Sequence, residues 1–139
     1  MSALSVGIGC RSGVSAAQIE SAVLAALGAH AFESIAVVAS VDTKAGEPGL
    51  LEFYARHALS VRWFSREQIA RVRVDAPSVA TREHLDVDGI CEPCALLASV
   101  DPATSHLIVR KQIHGDVTVA IAASPAPSSQ NTLSQNTLN

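Results

Sequence analysis

The run Ser34–Ser40, "SIAVVAS", constrains the fold more than any other stretch. It is apolar at odd and even positions alike, so a strand built from it has two faces to bury and belongs inside a sheet covered by helices on both sides. The flanking patterns agree. "LSVGIG" alternates Leu4, Val6 and Ile8 with Ser5, Gly7 and Gly9, as does a strand that closes in a glycine turn. Ser15 and Gln18 form a capping-box pair, and Ile19, Val23 and Leu27 recur at helical spacing up to Gly28. Pro48 suits the first turn of a second helix, with Leu50, Leu51, Phe53, Tyr54 and Ala58 as its buried stripe. "SVRWF" predicts a third strand, and Ser65 with Gln68 opens a short helix reaching Val72. "CEPCALLAS" predicts a late helix, while "HLIVRKQ" and "VTVAIAA" predict a hairpin around His114, Gly115 and Asp116. Alternating strands and helices imply parallel strands joined by right-handed crossovers. The expected fold is a single three-layer α/β/α domain over residues 1–123, with a mixed, mainly parallel sheet of about five strands.

Composition supports that architecture and narrows the function. A chain of 139 residues can bury roughly two-thirds of the surface its unfolded form exposes. Aromatic residues make up only 4% of it against 48% hydrophobic, so the core must come from Ala, Val, Leu and Ile. A net charge of −3 offers no basic field for a polyanion, which argues against nucleic acid. Three cysteines do not make a disulfide framework, and "MSALSVGIGC" lacks the basic start and apolar core of a signal peptide. No apolar run is long enough for a membrane span, and a cytoplasmic protein is expected. Residues 73–88 are polar, carry Pro77 and read as a long loop, the kind that is usually functional or mobile. Residues 124–139 read as a disordered, low-complexity tail in which Ser129–Leu133 repeats as Ser134–Leu138.

In open α/β sheets, ligands gather outside the carboxyl ends of the strands. Two loops are expected there: "GIGCRSG" after the first strand and "VDTKAGEPG" after the second. The glycines Gly7, Gly9 and Gly13 imply close backbone approach, and the following helix aims its N–H groups at that loop. Their spacing departs from the dinucleotide fingerprint by one residue, so a nucleotide site is the weakest of the readings. Arg11 carries a planar fork that matches a carboxylate, though a solvated loop arginine explains it equally well on composition. Asp42, Lys44 and Glu47 taken singly are an ion pair beside a helix start. Taken with Arg11 across one sheet edge, they make a polar site holding both acids and bases.

Cys91 and Cys94 form a C-x-x-C pair without a second pair, and nothing positions Cys10 or a histidine beside them. Zinc and a thioredoxin-like role are therefore disfavoured against small buried helix residues. The histidines are scattered, and His84, Asp86 and Asp88 read as hydrated loop charge. No metal site and no cofactor cradle is expected.

The segments "GIGCRSGV", "VDTKAGEPGLLEFY", "WFSREQIARV", "GICEPCALLAS" and "LIVRKQIHGDVTVAIA" resemble, in order and spacing, the family of CobE and the C-terminal domain of CbiG, proteins of cobalamin biosynthesis. The resemblance covers residues 3 to 123. It implies an α/β/α domain that binds or acts on a precorrin, the polycarboxylated tetrapyrrole on the way to the corrin ring. Gly7, Gly9, Cys10 and Arg11 stand at the family's G-x-G-C-R turn. Asp42, Lys44, Glu47, Pro48, Gly49 and Leu50 stand at its D-x-K-x-x-E-P-G-L loop. Glu92 matches a helix-opening glutamate, and Lys111 matches a basic residue closing the fourth strand. Cys91, Pro93 and Cys94 fall where relatives carry small residues. CbiG proteins have a preceding region and, whole, resemble a hydrolase that opens a lactone and releases acetaldehyde. This chain begins at the second domain of that arrangement and so resembles the stand-alone CobE type of the oxygen-dependent route, whose intermediate would be metal-free.

On this resemblance Arg11, Lys44, Lys111 and the glycine-turn amides would hold ligand carboxylates, with Asp42, Glu47 and Glu92 orienting them or moving protons. Two functions follow: a carrier that passes a precorrin or metal-free corrinoid to pathway enzymes, methyltransferases among them, or an enzyme acting by acid–base chemistry.

Overall fold

The computed structural model describes residues 3–72, 90–99 and 105–124. The expected loop 73–88 and the expected tail, apart from Ser124, lie outside these residues. Five strands form one sheet: β1 (Leu4–Cys10), β2 (Ile35–Val41), β3 (Val61–Phe64), β4 (His106–His114) and β5 (Val117–Ala123). Their order is β3-β2-β1-β5-β4. β1, β2 and β3 pair in parallel, while β5 runs antiparallel to both β1 and β4. β4 therefore points the same way as β1, and only β5 is reversed. The fold is the α/β class expected, with a mixed sheet.

Four α-helices are described: α1 (Ala16–Leu27), α2 (Pro48–Arg56), α3 (Arg66–Ala70) and α4 (Cys91–Ala98). Both sequence capping boxes form: Ser15 and Ser65 each accept from the backbone N–H three residues on, and Gln18 and Gln68 reach back to the cap. α1 and α2 lie over Leu4, Val6, Ile8, Val38 and the odd-numbered residues of β5. The other face of the sheet meets α3 and α4 through Ala39, Val41, Phe64, Ala120 and Ala122. Two connections that advance in one direction across the sheet put their helices on one face, and the long return to β4 puts the rest on the other. His57 joins α2 to α1 through a 3.0 Å hydrogen bond to Glu20.

The α2 stripe departs from its expected extent. Leu50, Phe53 and Tyr54 are buried, but Leu51 is 45% exposed and Ala58 lies past the helix end with φ of +51°. Leu51 sits about 100° around the helix from Leu50, which turns it to solvent. The strand β1 is also longer than expected, running to Cys10 instead of closing in a turn at Gly7 and Gly9.

Small side chains let the layers approach closely. Ser5 donates to the Ala95 carbonyl at 2.6 Å, tying β1 to α4, and Ser40 donates to the Ile8 carbonyl at 2.7 Å. One buried polar atom is left over: the Tyr54 hydroxyl has no hydrogen-bond partner among the described residues. Burial pushes this phenol far above its ordinary pKa. An orphaned buried hydroxyl costs about 1–3 kcal/mol. Tyr54→Phe should accordingly raise the unfolding free energy by about 1 kcal/mol in urea titration. A lower stability in that variant would mean that the hydroxyl is satisfied after all.

Candidate functional site

The charged loops meet at the carboxyl edge of the sheet. After β1 the chain turns through Arg11, Ser12 and Gly13, where Gly13 takes φ of +91° that a side chain would strain. After β2 it makes a 3₁₀ turn, Asp42–Lys44, closed by Ala45 N–H donating to the Asp42 carbonyl at 3.0 Å. Two contacts join the loops. Gly13 N–H donates to Glu47 Oε2 at 2.9 Å, and Lys44 Nζ donates to Ser12 Oγ at 3.4 Å. Glu47 is the N-cap residue of α2 yet does not cap its own helix, because its carboxylate is spent on the neighbouring loop. Asp42 is exposed and has no side-chain partner among the described residues.

The β4–β5 hairpin forms the third side of this edge. Gly115, with φ of +63°, takes the first of its two turn positions, where a left-handed residue fits. Arg11 N–H donates to the Asp116 carbonyl at 3.0 Å, and Arg11 Nε lies 3.5 Å from Asp116 Oδ1. Arg11 and Lys44 thus sit on one edge of the molecule, joined through Ser12.

Glu92 and Lys111 belong to a second group. Glu92 opens α4 with its side chain only 10% exposed, and Oε2 accepts from Arg110 Nε at 3.2 Å and from the Lys111 backbone N–H at 2.9 Å. The register of β4 shifts between Val109 and Gln112, which frees the Lys111 N–H from β5 and offers it to Glu92. Among the described residues no hydrogen bond or ion pair links this group to the Arg11–Lys44 edge. Sequence reasoning missed Ser12, Arg110 and Asp116, and no spacing signal ties Glu92 to Arg110 across 18 positions.

Gly7 and Gly9 are strand residues, paired with Ala120 and Thr118, so they do not form a phosphate-cradling turn. A methyl on Gly7 would overlap the Cys91 carbonyl oxygen and stand 2.7 Å from the Ala95 nitrogen. That glycine serves the approach of α4. Removing it from the loop removes the basis of the nucleotide reading.

The three cysteines are free and buried. Burial raises the Cys10 thiol to about 11, against a smaller lowering by Lys44. Burial likewise raises Cys91 to about 12 and Cys94 further still. A redox pair needs the opposite shift, because the thiolate is the nucleophile. Cys10 is instead a buried apolar residue of the core at the end of β1. Among the described residues no cluster of His, Cys, Asp and Glu could hold a metal ion.

A mixed sheet with charged loops joined past the ends of two parallel strands defines a three-layer α/β domain whose candidate site lies at the strand ends. The family described as Cobalamin synthesis G C-terminus matches residues 4–122, and the chain belongs to it. It is a cobalamin-biosynthesis protein of the CbiG/CobE type. A cobalt-precorrin-5A hydrolase of Priestia megaterium is 29% identical over 124 residues, which make up 88% of this chain but 32% of that protein. Among solved structures, CobE, a protein from the cobalamin (vitamin B12) biosynthetic pathway, superposes with a TM-score of 0.73 at 26% identity, covering 89% of this chain and 92% of CobE. The cobalamin biosynthesis protein chiG from Agrobacterium tumefaciens is 31% identical with a TM-score of 0.66, covering 87% of this chain and 98% of chiG. Among the described residues no helix is long and apolar enough to cross a membrane.

Proposed function

We propose that the protein binds a precorrin or a metal-free corrinoid and carries it to pathway enzymes, with Arg11 and Lys44 holding ligand carboxylates at the joined loops. A precorrin is a broad apolar ring edged by acetates and propionates, and a binder needs several fixed cations at an apolar surface. The observation that carries this reading is the joining of the Arg11 and Lys44 loops through Ser12, Gly13 and Glu47. In this reading Glu47 holds the loops, Cys10 lies beneath them, and Lys111, whose backbone N–H is held by Glu92, extends the cationic rim along β4.

An enzymatic role is the second reading, favoured by the relative named cobalt-precorrin-5A hydrolase, of which this chain spans only 32%. Two of the three candidate proton-transfer groups already have donors: Glu47 accepts from Gly13, and Glu92 from Arg110 and Lys111. Asp42 would carry the proton if the ligand is transformed, since its carboxylate has no such engagement and faces solvent.

Titration with a carboxylated, metal-free corrinoid, followed by visible absorption and then by mass, separates the two. Bound ligand of unchanged mass supports the carrier, and a changed mass supports catalysis. Arg11→Ala and Lys44→Ala should each weaken binding by about fivefold while leaving the thermal midpoint in place. Full affinity in both variants would move the site elsewhere.

A further inference from the structure

On the α4 face of the β4–β5 hairpin, Ile113 and Arg110 have no role in the reading above. Residues directly opposite on paired strands share a face, and Ile113, Thr118 and Gly9 form one such row across β4, β5 and β1. Thr118 lies on the face that Ala120 and Ala122 turn towards α4, so Ile113 does too. Yet Ile113 is 60% exposed, the most open of the large apolar side chains described.

Charge flanks it on both sides. Beyond the row, the turn carries Asp116, which holds Arg11. Below it, Glu92 of α4 holds Arg110. Glu92 accepts a hydrogen bond from Arg110 Nε, Asp116 lies in an exposed ion pair with Arg11 Nε, and the arginine side chains remain 49% and 63% exposed. With strands about 5 Å apart, Ile113 stands about 10 Å from the line of β1. The surface is therefore an exposed apolar side chain between two acid-paired arginines that still face solvent, complementary to a flat apolar ring edged with carboxylates and not to an apolar partner alone.

We infer that the ligand surface runs from Arg11 along the hairpin, with Ile113 packing on the apolar ring, Arg110 binding a second peripheral carboxylate, and Glu92 as the positioning residue for Arg110. This rests on the tetrapyrrole reading above and adds to it two contacts, Ile113 and Arg110.

The test compares two ligands, a metal-free corrinoid with free carboxylates and its fully amidated counterpart, each titrated into wild type, Ile113→Ser, Arg110→Gln and Glu92→Gln. Ile113→Ser should weaken both ligands alike, by about tenfold, because it removes apolar contact. Arg110→Gln should weaken the carboxylated ligand by about fivefold and leave the amidated one unchanged. Glu92→Gln should lower the same carboxylate-to-amide ratio, which a purely structural role would not shift. Wild type that binds the carboxylated ligand while Ile113→Ser and Arg110→Gln keep full affinity would overturn this inference and leave the tetrapyrrole reading standing. Wild type silent to both ligands would overturn the two together. Loss of self-association in Ile113→Ser, with ligand affinity unchanged, would make the patch an interface between copies and also overturn it.

Discussion

Replacing Gly7 with alanine is expected to destabilise the protein by about 3 kcal/mol, a large part of the 5–15 kcal/mol that holds a typical domain folded. In a strand interior, alanine is ordinarily the better residue, because glycine loses more backbone freedom on folding. Propensity alone therefore predicts a gain of about 0.5–1 kcal/mol from Gly7→Ala. The structure reverses the sign. The added methyl would overlap the Cys91 carbonyl oxygen and crowd the Ala95 nitrogen, and both are backbone atoms that no rotamer change can move. α4 would have to retreat from β1, pulling Ser5 away from the Ala95 carbonyl and opening the packing around Cys94 and Ala120. Gly46→Ala is the control, since nothing lies within 4 Å of a methyl there. Differential scanning calorimetry should show the Gly7 variant melting roughly 10 °C below the parent and the Gly46 variant close to it. A Gly7 variant as stable as the parent would mean that α4 does not rest on β1 at that distance.

Gly7 also marks where the sequence ceases to be legible. A glycine after alternating apolar residues reads as the start of a turn, and the same letter serves a strand over which a helix passes closely. The choice between them depends on residues 91 and 95, far along the chain. By contrast, the capping boxes at Ser15 and Ser65, the proline opening α2 and the turn at Gly115 are local chemistry, and each appears where the residues predict it. The interior placement of β2, between β3 and the central β1, follows from its two-sided apolar character, although Ile35 and Val37 remain partly open and Ala36 is exposed.

The candidate site divides along the same line. Its location past the strand ends follows from topology, and Arg11, Asp42, Lys44 and Glu47 are nearby in the two loops. What their carboxylates do is a matter of tertiary contact. Glu47 stands where a helix-capping acid would, but its partner is Gly13, 34 positions away. Glu92 reads as an acid favourable to a helix start, but its side chain meets a strand bulge at Lys111 and the guanidinium of Arg110. Neither arrangement leaves a mark in spacing.

Gly49→Ala is the variant expected to link stability to the site most directly. Gly49 is the second residue of α2, where alanine is favoured over glycine by about 1 kcal/mol in a helix interior. Its methyl would overlap the Val14 carbonyl oxygen and stand 3.1 Å from the Val14 carbonyl carbon, so the start of α2 and the segment leading into α1 could not keep their present approach. Those two segments bear the loops that Gly13 N–H and Glu47 hold together. Separation should cost about 2 kcal/mol of stability, break the Gly13–Glu47 hydrogen bond and part Lys44 from Ser12. The backbone amide of Gly13 should then exchange with solvent faster than in the parent, while amides in β5 keep their order of protection. If the tetrapyrrole proposal holds, affinity for a carboxylated corrinoid falls by about tenfold or more in the same variant, because the two cations lose their shared frame. A Gly49 variant that is more stable than the parent, with unchanged exchange at Gly13, would show that helix propensity wins and that the two loops are not fixed by this contact.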